Sequence, residues 1–261
     1  MAPHQLLTAI FPDDCRICGN PLSEFHSVPV CSRCLDAARP HAGECCCERC
    51  GAPQLHRASL DEEGVCRLCR SGKRGFDSCY SYGGYSGELR HLIHVFKYER
   101  VESLAHPLAR RMLSAMPRHI AFDVIAPVPM HWWKRFRRGF NQAGLLAREI
   151  SRNTAIPVAD VLRRSKLNQI QAGLAVSARR RNAAASFELR DGEGVRNKRV
   201  LLVDDVFTTG ATATACARLL KKAGAQFVAV LTIARVDRRA PAPLSPSVPI
   251  FGLEPQCHDK E

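Results

Sequence analysis

Two adjacent carboxylates, Asp204 and Asp205, stand directly after the apolar run Val200-Leu201-Leu202-Val203 and just before Val206-Phe207-Thr208-Thr209-Gly210-Ala211-Thr212. Adjacent acids can hold sugar hydroxyls or a divalent ion. A Thr/Gly turn at the start of a helix presents backbone N–H groups and hydroxyls to an anion. Together they point to a sugar phosphate, its hydroxyls on the acids and its phosphate on the turn. A second set of reactive residues lies near the N-terminus. Cys15-x2-Cys18, Cys31-x2-Cys34, Cys47-x2-Cys50 and Cys66-x2-Cys69 form four pairs separated by 12, 12 and 15 residues. A tight knuckle turns both sulfurs of a pair toward one tetrahedral ion, and two knuckles complete a four-cysteine zinc site. Glycines follow Cys18 and Cys50 and supply the permissive backbone such turns want.

Sequential sharing, Cys15/Cys18 with Cys31/Cys34 and Cys47/Cys50 with Cys66/Cys69, closes the shorter loops and costs less chain entropy. A crossed arrangement of alternate pairs is the competing reading. Cys45 and Cys46 lie beside the third knuckle and could replace Cys47, while His26, His41 and His56 read as surface residues. The segment holds little apolar bulk, so the zinc is expected to be structural, with no open coordination position, and its removal to unfold the first ~75 residues alone. The start of the chain, Met1 to Ile10, lacks a secretory pattern, and no run of about 18 apolar residues occurs. A cytoplasmic protein without membrane insertion is expected, and in that reducing compartment paired cysteines read as metal ligands rather than disulfides.

The net charge of +13 points to a polyanionic partner, or in part to a ligand with several phosphates. One basic stretch interleaves aromatics: His131-Trp132-Trp133-Lys134-Arg135-Phe136-Arg137-Arg138-Gly139-Phe140. Trp132, Trp133, Lys134, Arg135 and Arg137 could stack bases and hold phosphates of a single strand. The competing reading packs Trp132, Trp133, Phe136 and Phe140 into the fold.

These residues need elements to position them. Val200–Val203 reads as a strand buried on both faces, and ligands of open α/β sheets bind at the carboxyl ends of such strands. Further strands are expected at Phe76–Tyr85, Phe122–Pro129, Val158–Leu162 and Phe227–Ala234, and helices at Gly87–Phe96, Glu102–Met116, Asn141–Arg152 and Ala211–Ala223. The alternation argues an α/β fold, a parallel sheet flanked by helices. Lys97, at a helix end near the expected cleft, faces either solvent or a phosphate. Arg163 to Asn182 is long, polar and basic, as in a lid closing over a phosphate-rich substrate. The expected organisation is a Cys-rich double zinc-ribbon unit over 1–75, an α/β domain over 76–236 and a disordered tail over 237–261.

The central motif resembles the ribose-phosphate signature of type I phosphoribosyltransferases, and the chain as a whole resembles the ComF (ComFC) family of competence-associated proteins. The resemblance runs from the cysteine knuckles through Pro127-Val128-Pro129, Arg138-Gly139-Phe140-Asn141-Gln142, Gln171-Ala172-Gly173-Leu174 and Arg179-x-x-Asn182 to Val203–Thr212. Two departures are Asn168, where relatives usually carry Thr, and Ala175, where Ser is frequent. The resemblance implies a type I phosphoribosyltransferase fold acting on phosphoribosyl pyrophosphate with Mg²⁺. Asp204 and Asp205 would hold the ribose hydroxyls, and Thr208, Thr209, Gly210, Ala211 and Thr212 the 5′-phosphate. Val128, Pro129 and Arg138, with Gln171 and Arg179 of the lid, would meet the pyrophosphate. It also implies handling of single-stranded DNA during natural transformation, alongside DNA-uptake or helicase proteins.

Overall fold

The computed structural model describes residues 14–22, 28–40, 45–130, 136, 139–165 and 186–237. At its centre is a four-stranded parallel sheet in the order β1 (Ser78–Gly84), β6 (Phe227–Arg235), β5 (Arg199–Phe207) and β2 (Val124–Pro127). The two inner strands carry apolar runs, Val200 to Val203 and Val228 to Leu231, because both faces are covered there. Successive side chains of β5 and β6 point to opposite faces. Leu201, Val203, Ala229 and Leu231 thus enter one hydrophobic cluster, while Val200, Leu202, Val228 and Val230 enter the other.

Four helices cover these faces. On the first lie α3 (Gly87–Tyr98), α4 (Ala105–Ala115) and α5 (Gln142–Thr154), contributing Leu92, Ile93, Phe96, Leu108, Met112, Leu146 and Ile150. On the second lies α6 (Ala211–Lys222), with Cys216 and Leu220. The expected α/β fold with a parallel sheet is therefore present.

One expected strand is displaced. Val158 makes a single parallel bridge to Ile125. Ile125 donates its N–H to the Pro157 carbonyl at 2.8 Å, and Ala159 donates to Ile125 at 2.9 Å. Pro157 has no N–H with which to continue the ladder. The chain instead forms β3 (Leu162–Arg164), antiparallel to β4 (Phe187–Leu189) in a separate two-stranded sheet. Arg163 and Arg164 are consequently strand residues rather than the beginning of a lid, and 166–185 lie outside the described residues.

The two cysteine units dock on opposite faces of the sheet. In each, the first knuckle closes through a glycine N–H: Gly19 to the Cys15 carbonyl at 2.8 Å and Gly51 to the Cys47 carbonyl at 2.7 Å. The second knuckle opens a short helix, α1 (Ser32–Ala37) after Cys31 and α2 (Arg67–Arg70) after Cys66. Cys15, Leu22, Val30, Cys34 and Ala38 share the cluster of α3–α5. Cys47, Cys50, Cys66 and Cys69 share that of α6 and Phe76. Tyr82 donates its hydroxyl to the Ala38 carbonyl at 2.8 Å, Arg111 donates to the Leu35 carbonyl, and Arg235 donates to the Cys50 carbonyl. No helix among the described residues is long and apolar enough to cross a membrane.

This shared core changes the expected effect of chelation. Both faces of the sheet lose packing if the cysteine units open, so metal removal is expected to lower the melting temperature of the whole chain in one cooperative transition. Thermal melts by circular dichroism with and without a strong chelator measure it. Loss of residues 14–75 from an α/β body that melts unchanged would contradict the shared core.

Candidate functional site

β5 does not stop before the acids. It continues through Asp204 and Asp205 to Phe207, because β6 runs alongside as far as Arg235, pairing Asp204 with Thr232, Val206 with Ala234 and Phe207 with Arg235. The acids therefore belong to the strand's last residues rather than to the loop after it. The turn Thr208–Gly210 follows, and α6 starts at Ala211. Gly210 has φ +75°, and a Cβ there would lie 2.5 Å from the Phe207 ring, so both conformation and space require glycine. The first turn of α6 carries Thr212 and no acidic residue, leaving the positive end of the helix dipole free for an anion. The turn is clasped from the N-terminal side. Arg74 donates from Nη1 to the Thr209 carbonyl at 2.8 Å, its guanidinium lying 5.5 Å from the Phe207 ring centre and 5.7 Å from that of Phe76. Gly75 allows this approach, since a Cβ there would meet the Thr214 carbonyl at 2.6 Å.

Asp204 and Asp205 open into a cleft lined also by Lys97, Val128, Pro129, Met130, Asn141, Arg164 and Thr212. Two hydrogen bonds fix the turn after β2 against this site: Val128 donates its N–H to the Val203 carbonyl at 2.9 Å, and Asn141 donates from Nδ2 to the Val128 carbonyl at 3.2 Å. The Lys97 ammonium lies 2.8 Å from Asp205 Oδ1. The structure thus brings together the acids, the Thr/Gly turn and the Val128-Pro129 turn. The arrangement offers carboxylates for hydroxyls, N–H groups and hydroxyls for a phosphate, and two cations, Lys97 and Arg164, in the cleft of the acids.

The cysteines gather as Cys15/Cys18/Cys31/Cys34 and Cys47/Cys50/Cys66/Cys69, with the four sulfurs of each group within 4.8 Å of one another. This is the sequential sharing, and it excludes the crossed one; Cys47, not Cys45 or Cys46, belongs to the second group. Cys18 and Cys31 sulfurs are 3.8 Å apart, as are those of Cys50 and Cys66. A tetrahedral zinc with bonds of about 2.3 Å separates its sulfurs by about 3.8 Å. Cys31 donates its N–H to the Cys15 sulfur at 3.3 Å and Cys66 to the Cys47 sulfur at 3.2 Å, bonds that favour thiolates. Burial raises the Cys15 thiol, but the N–H groups of Cys18, Cys31 and Ile17 outweigh it and bring it to about 6. Hydrogen bonds from Cys50 and Cys69 hold Cys47 far down, whereas the bond to Cys47 pushes Cys69 far up. Four thiols crowded so closely suit a divalent cation between them, and both groups can hold zinc.

Trp132, Trp133, Lys134, Arg135, Arg137, Arg138, Gln171 and Arg179 lie outside the described residues, as does the tail from 238 onward. Of the aromatics in that basic stretch, Phe140 is buried against Phe96 at 5.6 Å, whereas Phe136 is 75 % exposed.

Comparison with known proteins adds the ancestry of this site. The phosphoribosyl transferase domain profile matches residues 136–260. Competence protein F of Haemophilus influenzae is 32 % identical over 197 residues, 72 % of this chain and 84 % of the relative. DNA utilization protein YhgH of Escherichia coli O157:H7 is 31 % identical over 231 residues, 86 % of this chain and 97 % of the relative. The chain belongs to the ComF/YhgH family. Competence protein ComFC of Bacillus subtilis is 27 % identical over 218 residues, 79 % of this chain and 84 % of the relative. The domain of this ComF/YhgH chain is a type I phosphoribosyltransferase domain, although β1, α3, α4 and β2 of its sheet precede the matched span.

Two residues at the site of the ComF/YhgH chain escape sequence reasoning, Arg164 in the cleft and Arg74 against the Thr/Gly turn. Arg164 reaches the acids only because β3 leaves the main sheet, and Arg74 reads as linker until it is seen against Thr209. No sequence signal marks Arg74, which sits in a short Gly/basic run of linker composition.

Burial and the charge of Asp205 push the Asp204 carboxyl up from 3.8 to about 7, against the opposing pull of the Asp205 N–H, Lys97 and Arg164. The folded chain therefore keeps this proton longer than the unfolded one. The associated stability is complete below 3.8 and is lost as pH rises to about 7. Asp204→Asn is expected to raise the melting temperature by about 2–5 °C near pH 8, with the gain vanishing toward pH 4. Melting curves across this range check it, and a variant no more stable than the parent near pH 8 would contradict the burial of an anion at Asp204.

Proposed function

We propose that this chain binds phosphoribosyl pyrophosphate with Mg²⁺ in the cleft at the end of β5, as a phosphoribosyltransferase-domain protein of DNA uptake. The observation that carries the reading is the convergence of three parts at the carboxyl end of β5, where Asp204 and Thr212 border both the cleft of the Val128-Pro129 turn and the adjoining pocket lined by Thr208 and Gly210. The acids end β5, the Thr/Gly turn follows them, and the Val128-Pro129 turn is hydrogen-bonded alongside. In this reading Asp204 and Asp205 take the ribose 2′- and 3′-hydroxyls. The N–H groups and hydroxyls of Thr208, Thr209, Gly210, Ala211 and Thr212 take the 5′-phosphate, and Val128 and Pro129 face the pyrophosphate. Arg138, Gln171 and Arg179 would complete the pyrophosphate side and the lid. A bound Mg²⁺ would offset part of the pyrophosphate charge.

The reaction class is substitution at the ribose anomeric carbon with departure of pyrophosphate. The carboxylates stabilise the positive charge that develops on the ribose, which is why two of them at the ribose matter more than one elsewhere. The zinc centres are structural in this reading, and reduced thiols suit a cytoplasmic setting.

A second reading concerns the partner. Relatives named for competence and DNA utilization, together with a net charge of +13, support binding of single-stranded DNA. Trp132, Trp133, Lys134, Arg135 and Arg137 are the residues proposed to meet it, with DNA-uptake or helicase proteins as neighbours.

Isothermal calorimetry tests the donor site. The wild-type chain is expected to bind phosphoribosyl pyrophosphate with Mg²⁺, and the Asp204→Ala/Asp205→Ala double variant to lose at least about tenfold in affinity; a wild type that takes no heat from the donor would sink the reading. For DNA, single-strand affinity should fall steeply as salt rises and drop further when Trp132, Trp133, Lys134 and Arg135 are all replaced by Ala. Binding unchanged by that replacement would remove the proposed surface.

A further inference from the structure

The cleft contains two cations to which the donor reading gives no task, and they come from elements distant in the chain. Lys97 is in the last turn of α3. Its side chain and that of Asp205 are 13 % and 15 % exposed, with the ammonium 2.8 Å from the carboxylate oxygen. Arg164 ends β3 and lies with its guanidinium 4.7 Å from the Phe187 ring centre. Its Nε is buried and has no hydrogen-bond partner among the described residues. Both side chains line the same cleft as the acids and the Val128–Met130 turn.

This arrangement has a consequence for Asp205. An ion pair so little exposed is costly to break from one side only, because an uncompensated charge remains in a poorly solvated place. A ribose hydroxyl can therefore take the Asp205 oxygen only if Lys97 shares it or finds a new anion. The nearest new anion would be the donor's own pyrophosphate, in the turn that faces the same cleft. Lysine suits such a handover. Its ammonium is a compact charge on a flexible stem with three rotatable donors, whereas the Arg164 fork is held against an aromatic ring.

We propose that Lys97 is the counter-cation of the pyrophosphate group. In the free chain it neutralises Asp205; when the donor binds, its ammonium moves to the pyrophosphate oxygens and leaves Asp205 to the ribose hydroxyl, with Arg164 as a second, stationary cation at the same cleft. The inference rests on the donor reading above and adds the residue that links its two halves. It makes the ribose and pyrophosphate subsites respond in opposite directions to loss of one ammonium, which a residue that only supports the fold would not do.

The test is calorimetry on the full, zinc-loaded chain with two probes, inorganic pyrophosphate and ribose 5-phosphate, over a range of Mg²⁺. Lys97→Met is expected to weaken pyrophosphate by about tenfold or more, to make its binding depend more steeply on Mg²⁺, and to leave ribose 5-phosphate as tight or tighter. Lys97→Arg is expected to restore most of the pyrophosphate affinity. A Lys97→Met chain that binds both probes like the wild type overturns the role of Lys97 while leaving the donor site standing. Equal weakening of both probes also overturns it, since that is the mark of a structural effect. A wild type that binds neither probe overturns the donor reading and this inference together. Should Lys97→Met not fold, the wild type decides alone: the side-chain NMR signals of Lys97, assigned with Lys97→Arg, shift on adding pyrophosphate if the handover occurs, and stay in place at saturation if it does not.

Discussion

Everything at the candidate site depends on the register of β5 between β2 and β6. With Val203 opposite Pro127 on one side and Leu231 on the other, the strand delivers Asp204 and Asp205 to the carboxyl edge of the sheet. A shift of one residue would turn Val200 and Leu202 to the wrong face and point each acid the opposite way. The register is held by burial on both sides, since Val200 to Val203 are wholly inaccessible. The same burial pushes the Asp204 carboxyl up. The acids emerge from an apolar layer, and the two available cations, Lys97 and Arg164, approach from elements outside β5.

The cysteine units extend this constraint outward. Each packs on one face of the sheet, so the chain uses its cysteine knuckles to close a core that the sheet and helices leave open. On the second face the link reaches the Thr/Gly turn itself. Arg235 donates to the Cys50 carbonyl and lies 5.0 Å from the centre of the Phe207 ring, which the Arg74 guanidinium also contacts while holding the Thr209 carbonyl. The Cys47/Cys50 knuckle, the ring beneath the turn and the turn are thus mechanically one piece. A cysteine unit that looks separable in the sequence is part of the scaffold for the Thr/Gly turn.

What the sequence made legible was whatever is local in the chain. The acids, the Thr/Gly turn and the helix after them are contiguous, so residue type and order suffice to read them. The cysteine groups are nearly as local, and the cost of closing loops selects the observed sharing over the crossed one. What was not legible depends on long-range placement. Nothing in α3 says that Lys97 meets Asp205, and nothing near Pro157 says that the next strand leaves the main sheet and carries Arg164 into the cleft. The Phe136 and Phe140 contrast is of the same kind: two aromatics in one basic stretch, one exposed and one in the core beside Phe96.

The most direct test of the account is a crystal structure of the full chain grown with phosphoribosyl pyrophosphate and Mg²⁺. The account predicts the 5′-phosphate on the N–H groups of Thr208 to Thr212, ribose hydroxyls on Asp204 and Asp205, and the pyrophosphate beside Val128 and Pro129 within reach of Lys97. Donor bound elsewhere, or a cleft still closed by the Lys97–Asp205 pair at saturating donor, would contradict it.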